Sequence, residues 1–336
     1  MNGKRWAALG IAVALFFVSV TINFLSAFAF KGVETDLSEL LAATEQPFTE
    51  EIVQEGNEMK KIVVLDVDGV IQDTTDAESL FQAAGYNHQG FMKKLDYIKD
   101  DDTIKGVILK VNSPGGGVVE SAEIHDKLVE IQKETKKPVY VSMGSMAASG
   151  GYYIAAPAKK IYASEETLTG SLGVIMQGIN YEGLADKYGV DFVTIKSGQY
   201  KDIMSPTRQM TEEERQILQK MIDNSYEGFV KVISEGRNMT TDQVKKIADG
   251  RIYDGRQAKE LNLIDGFGYL EDVIEQMMEE EKLKDAKVVR YTDAIGFGSL
   301  LNLKVQKLIG AESEMAGLME ILSRPNSPRL MYLYAE

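Results

Sequence analysis

From Lys61 onward the chain alternates short apolar runs with amphipathic stretches, and no other feature restricts its fold as much. The runs at residues 62–65, 104–111, 139–141, 160–163 and 191–195 are short for helices and apolar enough for strands buried on both faces. Residues 91–98, 118–133 and 181–188 carry the helical period instead, and a further helix is expected from Gly150 to Ala156. Strand, helix and strand in succession predict an α/β fold with largely parallel strands. Thr211-Glu212-Glu213-Glu214 has the capping-box pattern and predicts a long helix reaching about Glu235. Helices are then expected at 241–248, 257–261 and 269–281, a strand at 287–291, and helical stretches near Leu300 and Ser313.

With 336 residues and 44% apolar content, the chain can bury a sizeable core. A net charge of −14 leaves no basic stripe to neutralise phosphates, so nucleic acid is not an expected partner. Cysteine is absent, which excludes disulfides, thiolate catalysis and cysteine-built zinc sites. Two histidines, His88 in a polar turn and His125 in a helical stretch, are too few for a histidine-built metal centre. Neither a metal nor a cofactor is expected.

Residues 6–30 form an almost uncharged apolar run behind Lys4-Arg5. At 1.5 Å per residue, roughly 25 residues reach about 37 Å, enough to cross a bilayer with some tilt. Basic residues before the run and acids after it (Glu34, Asp36, Glu39) predict a single-pass span in the cell membrane, with a cytoplasmic N-terminus and the remainder outside. Ala27-Phe28-Ala29 has the character of a signal-peptide cleavage site, but the run is longer than such a peptide needs, so an anchor over residues 1–31 is the preferred reading. Residues 32–60 are polar and acidic and read as a spacer.

The chemistry centres on Met143 to Tyr153, where an apolar run enters a turn of small residues and then a helical start. Such a corner presents one hydroxyl, here Ser149, with glycines behind it that leave the oxygen uncrowded. A serine nucleophile needs a base for its proton and donors for the developing oxyanion. Asn112-Ser113-Pro114-Gly115-Gly116-Gly117 also follows a strand and opens a helix, and the amides of Gly116 and Gly150 are the expected donor pair. With histidine scarce, a lysine is the alternative base, and it acts only when neutral, which requires burial to destabilise the charged form by roughly 4 kcal/mol. Lys201, in Ser197-Gly198-Gln199-Tyr200-Lys201-Asp202, lies in a loop after an expected strand, although by its pattern alone a solvated lysine is the favoured reading.

Asn-Ser-Pro-Gly-Gly, Met-Ala-Ala-Ser-Gly-Gly-Tyr-Tyr, Leu-Thr-Gly-Ser-Leu-Gly-Val and Ser-Gly-Gln-Tyr-Lys-Asp follow one another here as they do in the signal peptide peptidase A family. The chain resembles the short, single-unit form of these membrane-anchored bacterial serine proteases over residues 61–270, and Gly250 to Ala258 fits their pattern as well. The resemblance implies a ClpP/crotonase-like fold, here a protease domain at 61–295 followed by an extension and tail at 296–336. It places the nucleophile on Ser149, the general base on Lys201, a serine that orients the lysine on Ser171 and an oxyanion donor on Gly116. It further implies a dome or ring of identical subunits, eight by family likeness, in which neighbours complete each site. The implied substrates are signal peptides left in the membrane after preprotein processing, and other extended apolar peptides.

Two features stand apart from that pattern. Val63-Val64-Leu65-Asp66-Val67-Asp68 resembles the first motif of haloacid-dehalogenase-type phosphatases, in which two aspartates act with Mg²⁺, and Ser113, Lys201 and Asp265 could complete such a site. The plainer reading of Asp66 and Asp68 is a strand-end turn. A crotonase-like scaffold without turnover is a third possibility. The apolar segment Leu330 to Tyr334 reads as an edge strand, or as an extended occupant of a peptide groove, whether product or inhibitor.

Overall fold

The computed structural model describes residues 48–73, 86–293 and 330–334. The expected anchor and the helical stretches near Leu300 and Ser313 lie outside them. No helix among the described residues is long and apolar enough to cross a membrane.

The strands are β1 (Phe48–Gln54), β2 (Asn57–Asp68), β3 (Ile104–Ser113), β4 (Gly115–Gly117), β5 (Val139–Ala148), β6 (Lys160–Ala163), β7 (Leu168–Gly170), β8 (Ile252–Tyr253), β9 (Gly266–Phe267), β10 (Ala286–Asp293) and β11 (Met331–Leu333). The helices are α1 (His88–Asp100), α2 (Val118–Thr135), α3 (Gly150–Ala155), α4 (Glu182–Lys187), α5 (Glu212–Arg237), α6 (Thr241–Ile247), α7 (Gly255–Glu260) and α8 (Leu270–Glu280). The main sheet runs β1-β10-β2-β3-β5-β6-β9, parallel from β10 to β9, with β1 antiparallel at one edge. β7 pairs with the far end of β5 and with β8.

Helices cover both faces, as a parallel sheet requires. On one face Val107, Leu109, Val111 and Val141 pack with the apolar stripes of α1 (Phe91, Leu95, Ile98) and α2 (Ile124, Leu128, Ile131). Ile62, Val64, Ile108 and Tyr140 meet Val273, Ile274 and Met277 of α8 on the other. The α5 helix begins with the expected capping box, Thr211 accepting from Glu214 N and the Glu214 carboxylate accepting from Thr211 N.

Two expectations change. Residues 48–54, within the expected spacer, form β1, which pairs with β10 along its length but buries only Phe48, so its sequence lacks the alternation of a half-buried strand. The apolar run 191–195 joins no sheet, and Val193 and Ile195 are 87% and 96% exposed. An apolar run signals burial without saying against what, and here nothing among the described residues covers it.

Candidate active site

β5 carries the nucleophile candidate to the sheet's end. Ser149 stands between β5 and α3 with φ 54° and ψ −116°, a sharp turn that a non-glycine residue holds only when its surroundings impose it. Its amide donates to Gly170 O at 2.8 Å, tying the corner to β7. The Ser149 side chain is buried, and its Oγ has no hydrogen-bond partner among the described residues.

Gly116 lies alongside. Ile71 N donates to Gly115 O and Gly117 N to Ile71 O, at 2.8 and 2.7 Å, so strand alternation turns the Gly116 amide the other way. On that side lies the chain's own tail, with β11 antiparallel to β4 in the register Met331 to Gly117, Tyr332 to Gly116 and Leu333 to Gly115. Its opposite edge pairs Met331 with Ile175 through two 3.0 Å hydrogen bonds, and Tyr334 N donates to Pro114 O at 2.8 Å. The Tyr332 ring is 2% exposed, stacks on Tyr153 at 4.9 Å, meets Phe229 at 4.6 Å and donates its hydroxyl to Ser225 O at 3.1 Å. Its carbonyl oxygen is at the Gly150 corner: a methyl group on Gly150 would meet it at 3.1 Å and Gly116 N at 3.1 Å. Ser149, Gly116, Gly150 and one peptide carbonyl are therefore neighbours.

Ser171 follows β7 with φ 50°, buried, its amide held by Arg251 O at 2.7 Å. It lines a cavity of about 580 Å³ together with Leu172, Ile175, Tyr226, Lys245 and Leu333. Lys201 is not among the residues that line this cavity. It is exposed, in the turn closed by its own amide donating to Gly198 O, and no hydrogen bond among the described residues joins it to Ser149 or Ser171. The structure thus brings four of the five expected residues into one region and shows no hydrogen bond from the lysine to them among the described residues. The turn itself is braced. Asp202 accepts from Lys196 at 2.6 Å and from Arg208 at 2.9 Å, and Arg208 also holds Glu214. The Arg208 guanidinium, with help from Lys196, holds Asp202 far below the usual carboxylate range, and it holds Glu214 down to about 2.

The remaining candidates are bound up locally. His88 bonds Tyr86 and Glu123 at 2.8 and 2.7 Å, and His125 pairs with Asp126. Asp66 faces Lys110 and Arg290 across neighbouring strands, at 3.6 and 3.3 Å. Ser113 Oγ accepts from Gly115 N, and Asp265 pairs with Arg237. No group of three or more acids or histidines able to hold a metal occurs among the described residues, so nothing there supports the phosphatase reading. The aromatic pocket of Tyr153 and Phe229 was not legible in the sequence. Tyr153 adjoins the Ser-Gly-Gly turn and could have been suspected, whereas Phe229 looks like any core position of a long helix.

The chain is similar to known peptidase families and to several named relatives. Residues 131–284 match peptidase family S49, and residues 83–168 match the Clp protease family, which makes the domain ClpP-like. The chain is 43% identical to a putative signal peptide peptidase SppA of Enterococcus faecium, over 99% of each chain. It is 40% identical to a putative protease of Methanocaldococcus jannaschii over 65% of this chain and 70% of the relative. With Protease 4 of Salmonella typhi the identity is 37%, over 57% of this chain and 31% of the relative.

Proposed function

This chain belongs to peptidase family S49 and is a serine peptidase, and from that premise we propose that Ser149 is its nucleophile and Lys201 of a neighbouring copy its general base. The observation that carries the proposal is the tail. An extended apolar segment lies antiparallel to β4 with one carbonyl beside the Gly116 and Gly150 amides and next to a partnerless serine hydroxyl. β11 is a stand-in for substrate: strand addition supplies affinity without regard to sequence, and the Tyr153–Phe229 pocket takes the side chain before the scissile bond.

In this reading neutral Lys201 takes the Ser149 proton as Oγ attacks the carbonyl carbon. The Gly116 and Gly150 amides hold the oxyanion, the C–N bond breaks, and the lysine returns the proton to the leaving amine. Water, deprotonated by the same lysine, then releases the acyl group. The lysine enters from outside the chain, through the cavity lined by Ser171, whose hydroxyl orients it. The exposed apolar surface of residues 184–195 is the surface that a second copy covers in a dome or ring of subunits, eight by family likeness. Residues 6–30 hold the assembly in the cell membrane with the site outside, close to extended apolar peptides such as signal peptides released there, the substrates that the name of the Enterococcus relative also indicates.

The test is cleavage of a fluorogenic apolar peptide by the full-length protein. Ser149→Ala and Lys201→Ala each lower kcat by at least about 10³-fold with an unchanged thermal midpoint. Activity retained in either variant overturns the dyad.

A further inference from the structure

Ser121 is a second buried serine hydroxyl beside the Gly150 corner, and the mechanism above does not use it. The residue lies in the second turn of α2 and is 0% exposed. Its Oγ has no hydrogen-bond partner among the described residues, not even the carbonyl of Gly117 one turn back, where a helical serine ordinarily bonds. The oxygen is directed at the corner described above. A methyl group on Gly150 would meet Ser121 Oγ at 2.7 Å, while the Gly116 amide and the Tyr332 carbonyl oxygen each lie 3.1 Å from the same point. Two buried hydroxyls without partners, those of Ser121 and Ser149, therefore flank Gly150.

We infer that the Ser121 hydroxyl is a third donor to the oxyanion, forming its hydrogen bond only as the scissile carbonyl becomes tetrahedral. The inference rests on the reading of Ser149 as nucleophile. A donor that leaves the planar carbonyl unbonded and engages the displaced, charged oxygen stabilises the transition state more than the bound substrate, and that difference is what accelerates a reaction. Packing alone gives no reason for a hydroxyl here, because alanine would fill nearly the same volume without burying a partnerless polar atom.

The experiment compares the full-length protein with Ser121→Ala and Ser121→Cys, the latter keeping the volume and substituting a weak donor. Each is assayed for steady-state cleavage of an apolar peptide with tyrosine before the scissile bond. Each is also titrated with the peptide aldehyde Leu-Met-Tyr-al, which forms a tetrahedral adduct, and with the corresponding amide, which does not. Both variants are expected to lose about 10- to 100-fold in kcat with KM within about twofold, and to lose aldehyde affinity by the same factor while amide affinity holds. Unchanged kcat in Ser121→Cys overturns the inference, and so does a parallel weakening of aldehyde and amide, which would mark a packing role. Ser149→Ala is run alongside: if it remains active, the nucleophile assignment fails, whereas an inactive Ser149→Ala with a fully active Ser121→Cys removes the third donor alone.

Discussion

Gly115 has φ +99°, and a side chain there would overlap the Tyr332 carbonyl oxygen and come within 2.6 Å of Gly150 N. One residue thus serves both the local turn and the strand that lies against it. Gly115→Ala is expected to cost about 1–2 kcal/mol of stability through its left-handed backbone. It should also lower kcat/KM for peptides by at least about 10²-fold, because the Cβ stands where the substrate backbone passes. Thermal melting and steady-state assays separate the two effects, and a variant that melts earlier but cleaves normally would show that peptides pass elsewhere. The run Ser113-Pro114-Gly115-Gly116-Gly117 and the serine at Ala148-Ser149-Gly150 were legible in the sequence, because small residues at strand ends have few other uses. Ser121 was not. Its meaning depends on which backbone lies across from it, and one serine on a helix carries no such signal.

At the level of elements, the proposed mechanism depends on β11 and on the segment carrying Lys201. Burying the Tyr332 ring between Tyr153 and Phe229 contributes about 2–4 kcal/mol, enough for a tethered segment to compete with dilute peptide. Ending the chain at residue 329, or changing Tyr332→Ala, is expected to raise the initial rate on apolar peptides several-fold, with the truncation having the larger effect. Equal rates in all three proteins would mean that the tail is no obstacle. The Lys201 turn is braced by Arg208 between Asp202 and Glu214. Glu214 is held at about 2, below its ordinary 4.5, so its contribution to stability is complete above about pH 4.5 and is lost as pH falls toward 2. Arg208→Met should flatten the fall of the thermal midpoint across that window, and an unaltered pH profile would remove the brace from the account.

For the whole molecule, the issue is where Ser149 meets its base. Within one chain Lys201 is exposed and bonds neither Ser149 nor Ser171, while Tyr188, Val193 and Ile195 beside it stand in solvent. If neighbouring copies exchange lysines, mixing inactive Ser149→Ala with inactive Lys201→Ala and reassembling them restores activity, approaching roughly one quarter of wild type for random rings. A dyad within one chain gives no restoration. Val193→Asp is expected to lower both assembly and activity, read by light scattering and peptide cleavage. Short-range chemistry settled much in advance: the apolar periodicity specified a parallel α/β sheet, the Thr211 capping box began α5, and the glycine turns marked the Ser149 corner and the Gly116 and Gly150 amides beside it. Each of those depends on residues a few positions apart. Only the tertiary structure could bring residues 331–333 to Gly115–Gly117, bury Ser121 against Gly150 and leave 191–195 exposed among the described residues, because the free energy of those contacts belongs to pairs far apart in the chain.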